Sequence, residues 1–216
     1  MPIGNPQCLR HVSAKLFPWL FLSLFAVYAC SQPAGVNQLV DHPSPYLAMH
    51  GADPVAWQDW GPAVLERARA ENLPVFVSSG YFACHWCHVM QRESYRNPEI
   101  AALINRHFVP VKLDRELHPA LDAYLIDFVE RTHGQAGWPL NVFLSPDGYP
   151  MLGLTYAPPE DFSSLLGRVS RAWERQPAKL AELARRAAAE RAAEGRATRR
   201  DAEGAAALAE RLKAQA

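Results

Sequence analysis

Two cysteines in a Cys-x-x-Cys pair, Cys84 and Cys87, directly follow a short apolar segment, and this arrangement restricts the fold more than any other feature. The segment Val75-Phe76-Val77 runs into Ser78-Ser79-Gly80, a pattern typical of a buried central strand that ends in a turn. Two cysteines with this spacing at the start of a helix can form a disulfide bond with little movement. We therefore predict a strand, a loop and a helix that begins at Cys84.

The position of the pair at a helix start indicates thiol–disulfide chemistry. Backbone N–H groups and the helix dipole stabilise a thiolate at this position. A thiolate attacks a disulfide, and a second cysteine resolves the mixed disulfide that forms. We assign attack to Cys84 and resolution to Cys87. The adjacent His85 and His88 are candidates for tuning both thiols, because an imidazolium stabilises a thiolate and a neutral imidazole accepts a proton.

Three other interpretations of the motif remain open at this point. Cys84, Cys87 and His88 fall at positions i, i+3 and i+4, on one face of a helix, and thiolate and imidazole ligands suit zinc. A closed zinc site would need a fourth ligand from elsewhere in the chain. The pair could also be inert in a protein-interaction module that has no redox turnover. A purely structural disulfide is the third interpretation, although so short a loop removes little entropy from the unfolded chain.

The rest of the sequence alternates between predicted helices and strands. Asp53-Pro54 and Gly61-Pro62 are typical helix starts, because proline fits the first helical turn. The element order α-β-α-β-α-β-β-α predicts an α/β fold with a central mixed sheet flanked by helices. The predicted strands cover residues 75–77, 108–113, 141–144 and 151–155, and the predicted helices cover residues 61–72, 97–104, 121–129 and 162–173.

The N-terminal residues predict an export signal that is not part of the fold. Two basic residues precede the apolar run 16–29, which is shorter than the roughly 20 residues that span a bilayer. Val27-Tyr28-Ala29-Cys30 resembles a bacterial lipobox, in which the cysteine is lipidated after cleavage. We expect residues 1–29 to be removed and Cys30 to anchor the chain in the cell envelope, on the periplasmic side where a periplasm exists. The alternatives are ordinary cleavage after Ala29, and an uncleaved anchor or buried helix.

Composition divides the remaining chain into three parts and limits its partners. We predict a tether at residues 30–45, a globular domain at 46–176 and an Ala/Arg-rich tail, helical or disordered, at 177–216. The chain has 22 basic and 22 acidic side chains, so no charge excess favours binding to nucleic acid. Since two sulfur atoms suffice for the exchange reaction, we expect no cofactor.

The cysteine motif also resembles that of the thioredoxins. Cys84-His85-Trp86-Cys87 follows an apolar strand and precedes Gly137-Trp138-Pro139. The resemblance implies a thioredoxin-like fold in which Pro139 follows a cis peptide bond and packs against the cysteine pair. Thioredoxins carry a buried acid on the strand before the cysteines, and the matching residue here is Ser78. We therefore hypothesise that His85 or His88, aided by Asp114, handles the proton of the resolving thiol.

A narrower resemblance extends over residues 37–162, most of the chain beyond the export signal. This region is similar to the thioredoxin-like N-terminal domain of the spermatogenesis-associated protein 20 family. The motifs that carry the resemblance are Ser44-Pro45-Tyr46-Leu47, Trp57, Trp60-Gly61, Gly80-Tyr81, the seven residues Cys84-His85-Trp86-Cys87-His88-Val89-Met90, Glu93-Ser94, Lys112-Leu113-Asp114-Arg115-Glu116 and Gly137-Trp138-Pro139-Leu140-Asn141.

These observations predict a thiol–disulfide oxidoreductase of the cell envelope. Its partners would be cysteine-containing proteins or another redox protein, and the lipid anchor at Cys30 would hold it at the membrane. We expect Tyr81, Trp86 and Trp138 to rim an apolar docking surface for these partners.

Overall fold

The computed structural model describes residues 35–213, which form a four-stranded mixed sheet with helices on both faces. The strands are β1 (Val75–Gly80), β2 (Val109–Asp114), β3 (Leu140–Leu144) and β4 (Pro150–Leu154). Their order in the sheet is β2-β1-β3-β4, with β1 parallel to β2 and antiparallel to β3. The predicted α/β class with a central mixed sheet is confirmed. The predicted export signal, Cys8 and Cys30 lie outside the described residues.

Most of the helices begin with a proline in the first turn, and the predicted start at Gly61-Pro62 is among them. The Asn97 side chain accepts hydrogen bonds from the backbone of Glu99 and Ile100 and so caps the helix that starts at Pro98. The helices are α1 (Pro45–Ala48), α2 (Pro62–Glu71), α3 (His85–Met90), α4 (Pro98–His107), α5 (Pro119–His133), α6 (Pro159–Arg175) and α7 (Pro177–Lys213), and a π-helix, Gln91–Tyr95, continues α3.

Strand β1 is buried on both faces, because its side chains alternate between two apolar cores. Phe76 packs in one core with side chains of the π-helix, α4 and α6, namely Tyr95, Ile104 and Phe162. Val75 and Val77 pack in the other core with side chains of α2 and α5, among them Val64, Leu125 and Phe128. This two-sided burial fixes the strand from which the cysteine loop leaves.

The packed domain starts earlier than the predicted boundary at Tyr46. Leu39, within the segment predicted as a tether, is fully buried in the same core as Phe76. The Asn37 side chain donates hydrogen bonds to the carbonyl oxygens of His50 and Asp53, at 2.8 and 3.1 Å. The polar composition of this segment concealed the buried Leu39, and the Asn37 side chain bonds to the domain.

The prediction that a helix starts at Asp53-Pro54 is wrong. Residues 49–60 form turns and one isolated bridge, between Gln58 and Val111 of β2. The Asp53 carboxylate does not cap a helix, because it is buried and accepts a hydrogen bond from the Trp57 indole, at 3.2 Å, and others described below. A short helix, α1, lies just upstream and is capped by the Ser44 hydroxyl, which accepts from the Leu47 backbone N–H.

The predicted tail is helical, and its first part packs on the domain. Ala184 of α7 is 5% exposed, and the Arg191 guanidinium lies 5.0 Å from the ring centre of Tyr124 and 5.4 Å from that of Phe128, both in α5. Within residues 35–213, no helix is both long enough and apolar enough to cross a membrane.

The burial of Leu39 predicts that the segment before Tyr46 stabilises the domain. Leu39→Ala should lower the free energy of unfolding by about 2–5 kcal/mol, because it leaves a cavity in a packed core. The neighbouring Val40 is 60% exposed, so Val40→Ala should change stability by no more than about 0.5 kcal/mol. Urea unfolding of the two variants measures this difference, and equal small effects would show that the segment is a tether.

Candidate active site around Cys84 and Cys87

The two cysteines form a disulfide bond at the start of α3, as predicted. Strand β1 ends at Gly80, and Cys84 is the N-cap of the helix, so its backbone is extended while Cys87 lies in the first turn. The Cα atoms are 5.3 Å apart and the sulfur atoms 2.09 Å. The backbone N–H of Cys87 donates to Cys84 Sγ at 3.2 Å. The helix therefore already supplies one donor to the sulfur to which attack was assigned.

The two cysteines differ in exposure. Cys87 is fully buried, whereas Cys84 keeps 4% of its surface exposed. The side chains of Phe82 and Trp86, on either side of Cys84 in sequence, are 58% and 52% exposed. Only Cys84 of the pair borders the surface, which agrees with its assignment as the attacking residue.

A first aromatic group next to the cysteines contains two of the predicted docking residues. The Trp138 indole donates to Asp122 Oδ1 at 3.0 Å, and its ring contacts Tyr81 edge-on, with centroids 5.8 Å apart. The Arg115 guanidinium stacks over Trp138 at 3.9 Å. The Trp138–Pro139 bond is cis, as expected, and Pro139 is buried just before β3. These contacts fix the half-buried Trp138 beside the end of β1.

Trp86, the third predicted docking residue, belongs to a second aromatic group. Its ring lies 4.8 Å from that of Tyr156, whose hydroxyl donates to Glu93 Oε2 at 2.6 Å. Trp86 therefore has a defined neighbour although half of its surface is exposed.

The two histidines of the motif have different surroundings. His88 Nε2 lies 2.7 Å from the carbonyl oxygen of Phe82, and since a carbonyl only accepts, this nitrogen carries the hydrogen. His85 is exposed and touches Trp86 edge-on, with centroids 5.7 Å apart. The proton-handling role of these histidines stays a prediction. Asp114, proposed to assist them, is engaged elsewhere, because it accepts a hydrogen bond from the Ser44 hydroxyl at 2.6 Å.

The zinc interpretation gains no support from the described part of the chain. The disulfide takes up Cys84 and Cys87, and His88 is bonded to a backbone carbonyl. In residues 35–213, no three His, Cys, Asp or Glu side chains are arranged to hold a metal ion.

Sequence reasoning missed a buried lysine beneath the site. Lys112 of β2 is fully buried and pairs in register with Ser78 of β1. Its ammonium donates to Ser78 Oγ at 2.8 Å, and the same oxygen lies 2.8 Å from the Tyr95 hydroxyl, which donates to Asn141 Oδ1. Burial lowers the pKa of Lys112 to about 7. A lysine in the alternating apolar pattern of β2 was the available signal.

Aromatic rings surround the Lys112 ammonium. The nitrogen lies 5.3 Å from the ring centre of Tyr46, 5.5 Å from that of Trp57 and 4.8 Å from that of Tyr95. The negative faces of aromatic rings attract a cation, so these contacts offset part of the cost of burying the charge. Ser78, the residue that matches the thioredoxin acid in the sequence comparison, thus accepts a hydrogen bond from the Lys112 ammonium.

The negative charge of a buried carboxylate, Asp53, favours the protonated form of Lys112 and so opposes the effect of burial on its pKa. Asp53 accepts hydrogen bonds from His50 Nδ1 at 2.6 Å and from the Gln91 amide at 2.9 Å. Burial alone would raise the pKa of Asp53, but the hydrogen bonds, that of His50 first, outweigh it and lower the pKa. Burial and then the charge of Lys112 lower the pKa of His50 to about 4. His50 is therefore neutral near pH 7, with its hydrogen on Nδ1.

Comparison with known proteins assigns the family. The family model Thioredox_DsbH, described as "Protein of unknown function, DUF255", matches residues 36–191. The chain belongs to this family.

Curated relatives of this DUF255 chain carry the name expected from its motifs. It is 43% identical over 156 residues to human spermatogenesis-associated protein 20, a match that covers 69% of this chain and 20% of the relative. The rat protein of the same name is 42% identical over 166 residues, or 73% of this chain and 21% of the relative. The chain thus matches about a fifth of the length of these relatives.

Two solved structures are also similar to this member of the DUF255 family. One, titled "DsbH Oxidoreductase", is 16% identical and covers 54% of this chain and 85% of its own, with a TM-score of 0.43. The other is a putative disulphide-isomerase from Bacteroides thetaiotaomicron, 25% identical, which covers 53% of this chain and 92% of its own, with a TM-score of 0.42.

The lowered pKa of Lys112 predicts a pH-dependent stability. In the unfolded chain a lysine keeps its proton up to pH about 10. In the folded protein Lys112 loses its proton near pH 7. Between these two pH values the unfolded state therefore binds more protons than the folded state. The free energy of unfolding of the oxidised protein should therefore rise between pH about 7 and about 9.5.

The Lys112→Met variant should lose most of this rise, since it has no proton to release. Lys179 is exposed and solvated in both states, so Lys179→Met should keep the wild-type rise. Urea unfolding at the two pH values compares the three proteins. A rise of the same size in Lys112→Met would contradict the lowered pKa.

Proposed function

We propose that the chain is a thiol–disulfide oxidoreductase that acts through Cys84 and Cys87 in the cell envelope. The observation that carries the proposal is the disulfide at a helix N-terminus, with Cys84 slightly exposed and Cys87 fully buried. A helix N-terminus stabilises the thiolate that forms when such a disulfide opens. The DUF255 family match, named after thioredoxin and DsbH, supports the same class of reaction.

The reductive reaction takes place in two exchanges. The Cys84 thiolate attacks one sulfur of a substrate disulfide; the substrate bond breaks, a mixed disulfide forms, and the released thiolate takes a proton from water. The Cys87 thiolate then attacks Cys84 Sγ, so the Cys84–Cys87 bond forms and the second substrate thiolate leaves. Two electrons pass to the substrate and none to a cofactor. The oxidative reaction is the reverse sequence.

The backbone favours Cys84 for the first exchange. The N–H of Cys87 already points at Cys84 Sγ in the disulfide, at 3.2 Å. The same donor would hold a thiolate more strongly, because hydrogen bonds to an ionised acceptor are stronger than those to a neutral one.

The substrates would be cysteine-containing proteins or a redox partner protein. The exposed faces of Phe82 and Trp86, and the half-buried Trp138, offer apolar surface around a sulfur that has little exposure of its own. An extended peptide segment could lie on this surface with its disulfide at Cys84. The envelope location and the lipid anchor at Cys30 belong to the proposal on the basis of the sequence of residues 16–30 alone.

Cys87→Ser should trap the substrates of this reaction. Without the resolving thiol, the mixed disulfide on Cys84 persists, and non-reducing electrophoresis of envelope extracts should reveal adducts that reductant removes. The matched control is Cys84→Ser combined with Cys87→Ser, which keeps Cys30 but lacks the pair.

Wild-type protein in glutathione buffers should also show a reversible two-electron couple that the double variant lacks. If the adducts of Cys87→Ser and the double variant are the same, and the wild type shows no reversible couple, the proposed function is wrong.

A further inference from the structure

The hydroxyl of Tyr46 is buried without a partner. Tyr46 is 1% exposed, and its hydroxyl has no hydrogen-bond partner in residues 35–213 of the oxidised protein. A buried phenol normally finds a partner, because leaving its hydroxyl unpaired away from water is unfavourable. An unpaired donor next to a reactive group points to a partner that forms in another state of the protein.

The reactive group beside this hydroxyl is the sulfur of Cys87. A side-chain carbon at Gly80 would overlap the Tyr46 hydroxyl oxygen and would lie 2.7 Å from Cys87 Sγ. Both atoms therefore lie next to the position that a side-chain carbon of residue 80 would occupy. Gly80, the last residue of β1, allows the hydroxyl and the sulfur to approach each other.

The two redox states of Cys87 differ greatly as acceptors. A disulfide sulfur is a weak acceptor, so the hydroxyl gains little from it in the oxidised protein. A thiolate is an ionised acceptor and binds a donor strongly. Because Cys87 is fully buried, its thiolate would form away from solvent and would need a donor from the protein.

Tyr46 can serve only as a donor at this point. Burial raises the pKa of Tyr46 well above its ordinary value, and nearby negative charges raise it further, so the hydroxyl keeps its proton. The titratable groups that surround the Tyr46 ring and hydroxyl are Lys112 and Asp114 of β2, Tyr95 of the π-helix, Asp122 of α5, and His50 and Asp53 of the loop after α1.

We propose that Tyr46 is a catalytic residue that donates a hydrogen bond to the Cys87 thiolate whenever the Cys84–Cys87 bond is open. This inference rests on the proposed function. When a substrate thiolate attacks Cys84, the Cys84–Cys87 bond breaks, and its electron pair stays on Cys87 Sγ, which then accepts from the Tyr46 hydroxyl. In the opposite direction, the same hydrogen bond holds Cys87 as a thiolate until it attacks Cys84. No proton leaves Tyr46 in either step.

Two hydrogen bonds of the Ser44 hydroxyl hold the helix that carries Tyr46 in place. The Ser44 hydroxyl accepts from the Leu47 backbone N–H and donates to Asp114 Oδ2, so it fixes the helix α1, which carries Tyr46, to the end of β2. Asp114 and Ser44 are therefore positioning residues for the hydroxyl.

Tyr46→Phe tests the inference in the purified full chain. Without the donor, the equilibrium with glutathione should shift on the order of tenfold toward the disulfide, since a hydrogen bond to a charged group is lost. A tenfold shift lowers the reduction potential by about 30 mV. Thermal unfolding should show the reduced variant less stable than the reduced wild type. The oxidised variant should be no less stable, because it loses only an unpaired hydroxyl.

Tyr95→Phe is the matched control. Tyr95 is equally buried and also faces Lys112, but its hydroxyl is already bonded to Ser78 and Asn141. This variant should lose stability in both redox states and keep a wild-type potential. A Tyr46→Phe potential equal to that of the wild type, or an equal shift in Tyr95→Phe, overturns the inference while the wild-type couple still supports the proposed function. Absence of a reversible couple in the wild type overturns the proposed function and the inference with it.

If Tyr46→Phe does not fold, the inference can be tested on the wild type through the ultraviolet absorption of its tyrosines. Reduction of the wild type should shift the ultraviolet absorption of tyrosine to longer wavelength, because a phenol that starts to donate to a thiolate absorbs at lower energy. The variant with serine in place of Cys84 and Cys87 should show no shift on addition of reductant. A wild-type tyrosine spectrum that does not respond to reduction contradicts the inference.

Discussion

The site depends on the burial of β1 between two cores. A strand covered on both faces admits only side chains that are apolar, small or fully paired, and β1 has three apolar residues followed by two serines and a glycine. Each of its last three residues meets a polar group of the site, since Ser78 bonds to Lys112, Ser79 donates to Asp122, and Gly80 borders Cys87. The six residues of β1 thus connect the apolar cores to the polar groups and the cysteines of the site.

Asp122 connects the two sides of the site through its buried carboxylate. One oxygen accepts from Ser79 of β1 at 2.6 Å and from the Trp138 indole at 3.0 Å. The other lies 3.7 Å from the Arg115 guanidinium, which stacks on Trp138. Asp122 therefore contacts β1 through Ser79, the segment before Pro139 through Trp138, and the Arg115 guanidinium. Trp138, one of the residues of the proposed docking surface, is in this way linked through Asp122 to the strand that precedes the cysteines.

The sequence predicted the elements better than the buried polar groups. Proline-marked helix starts, the apolar strand and the cysteine pair are local patterns, so the order of elements and the disulfide could be derived from residues close in sequence. Leu39 was missed because the few apolar residues of this segment show no periodicity that separates the buried Leu39 from the exposed Val36 and Val40. Lys112 and Asp53 were missed as site residues because their burial depends on partners, Ser78 and His50, on other elements. Asp53 also resembled a helix cap, and only the tertiary contacts decide which role its carboxylate has.

The residue before the π-helix and the last residue of the π-helix, Met90 and Tyr95, both contact Asn141 of β3. In such a helix the hydrogen bonds join residues five apart, one more than in an α-helix, so the turn is wider. Met90 and Tyr95 are five apart, and both reach Asn141 of β3, with the Asn141 amide 3.3 Å from Met90 Sδ and the Tyr95 hydroxyl 2.7 Å from Asn141 Oδ1. One extra residue in the turn thus gives Asn141 a second contact on the cysteine helix. Through Asn141, β3, the strand that follows Pro139, therefore contacts α3 and its π-helical continuation at two residues one turn apart.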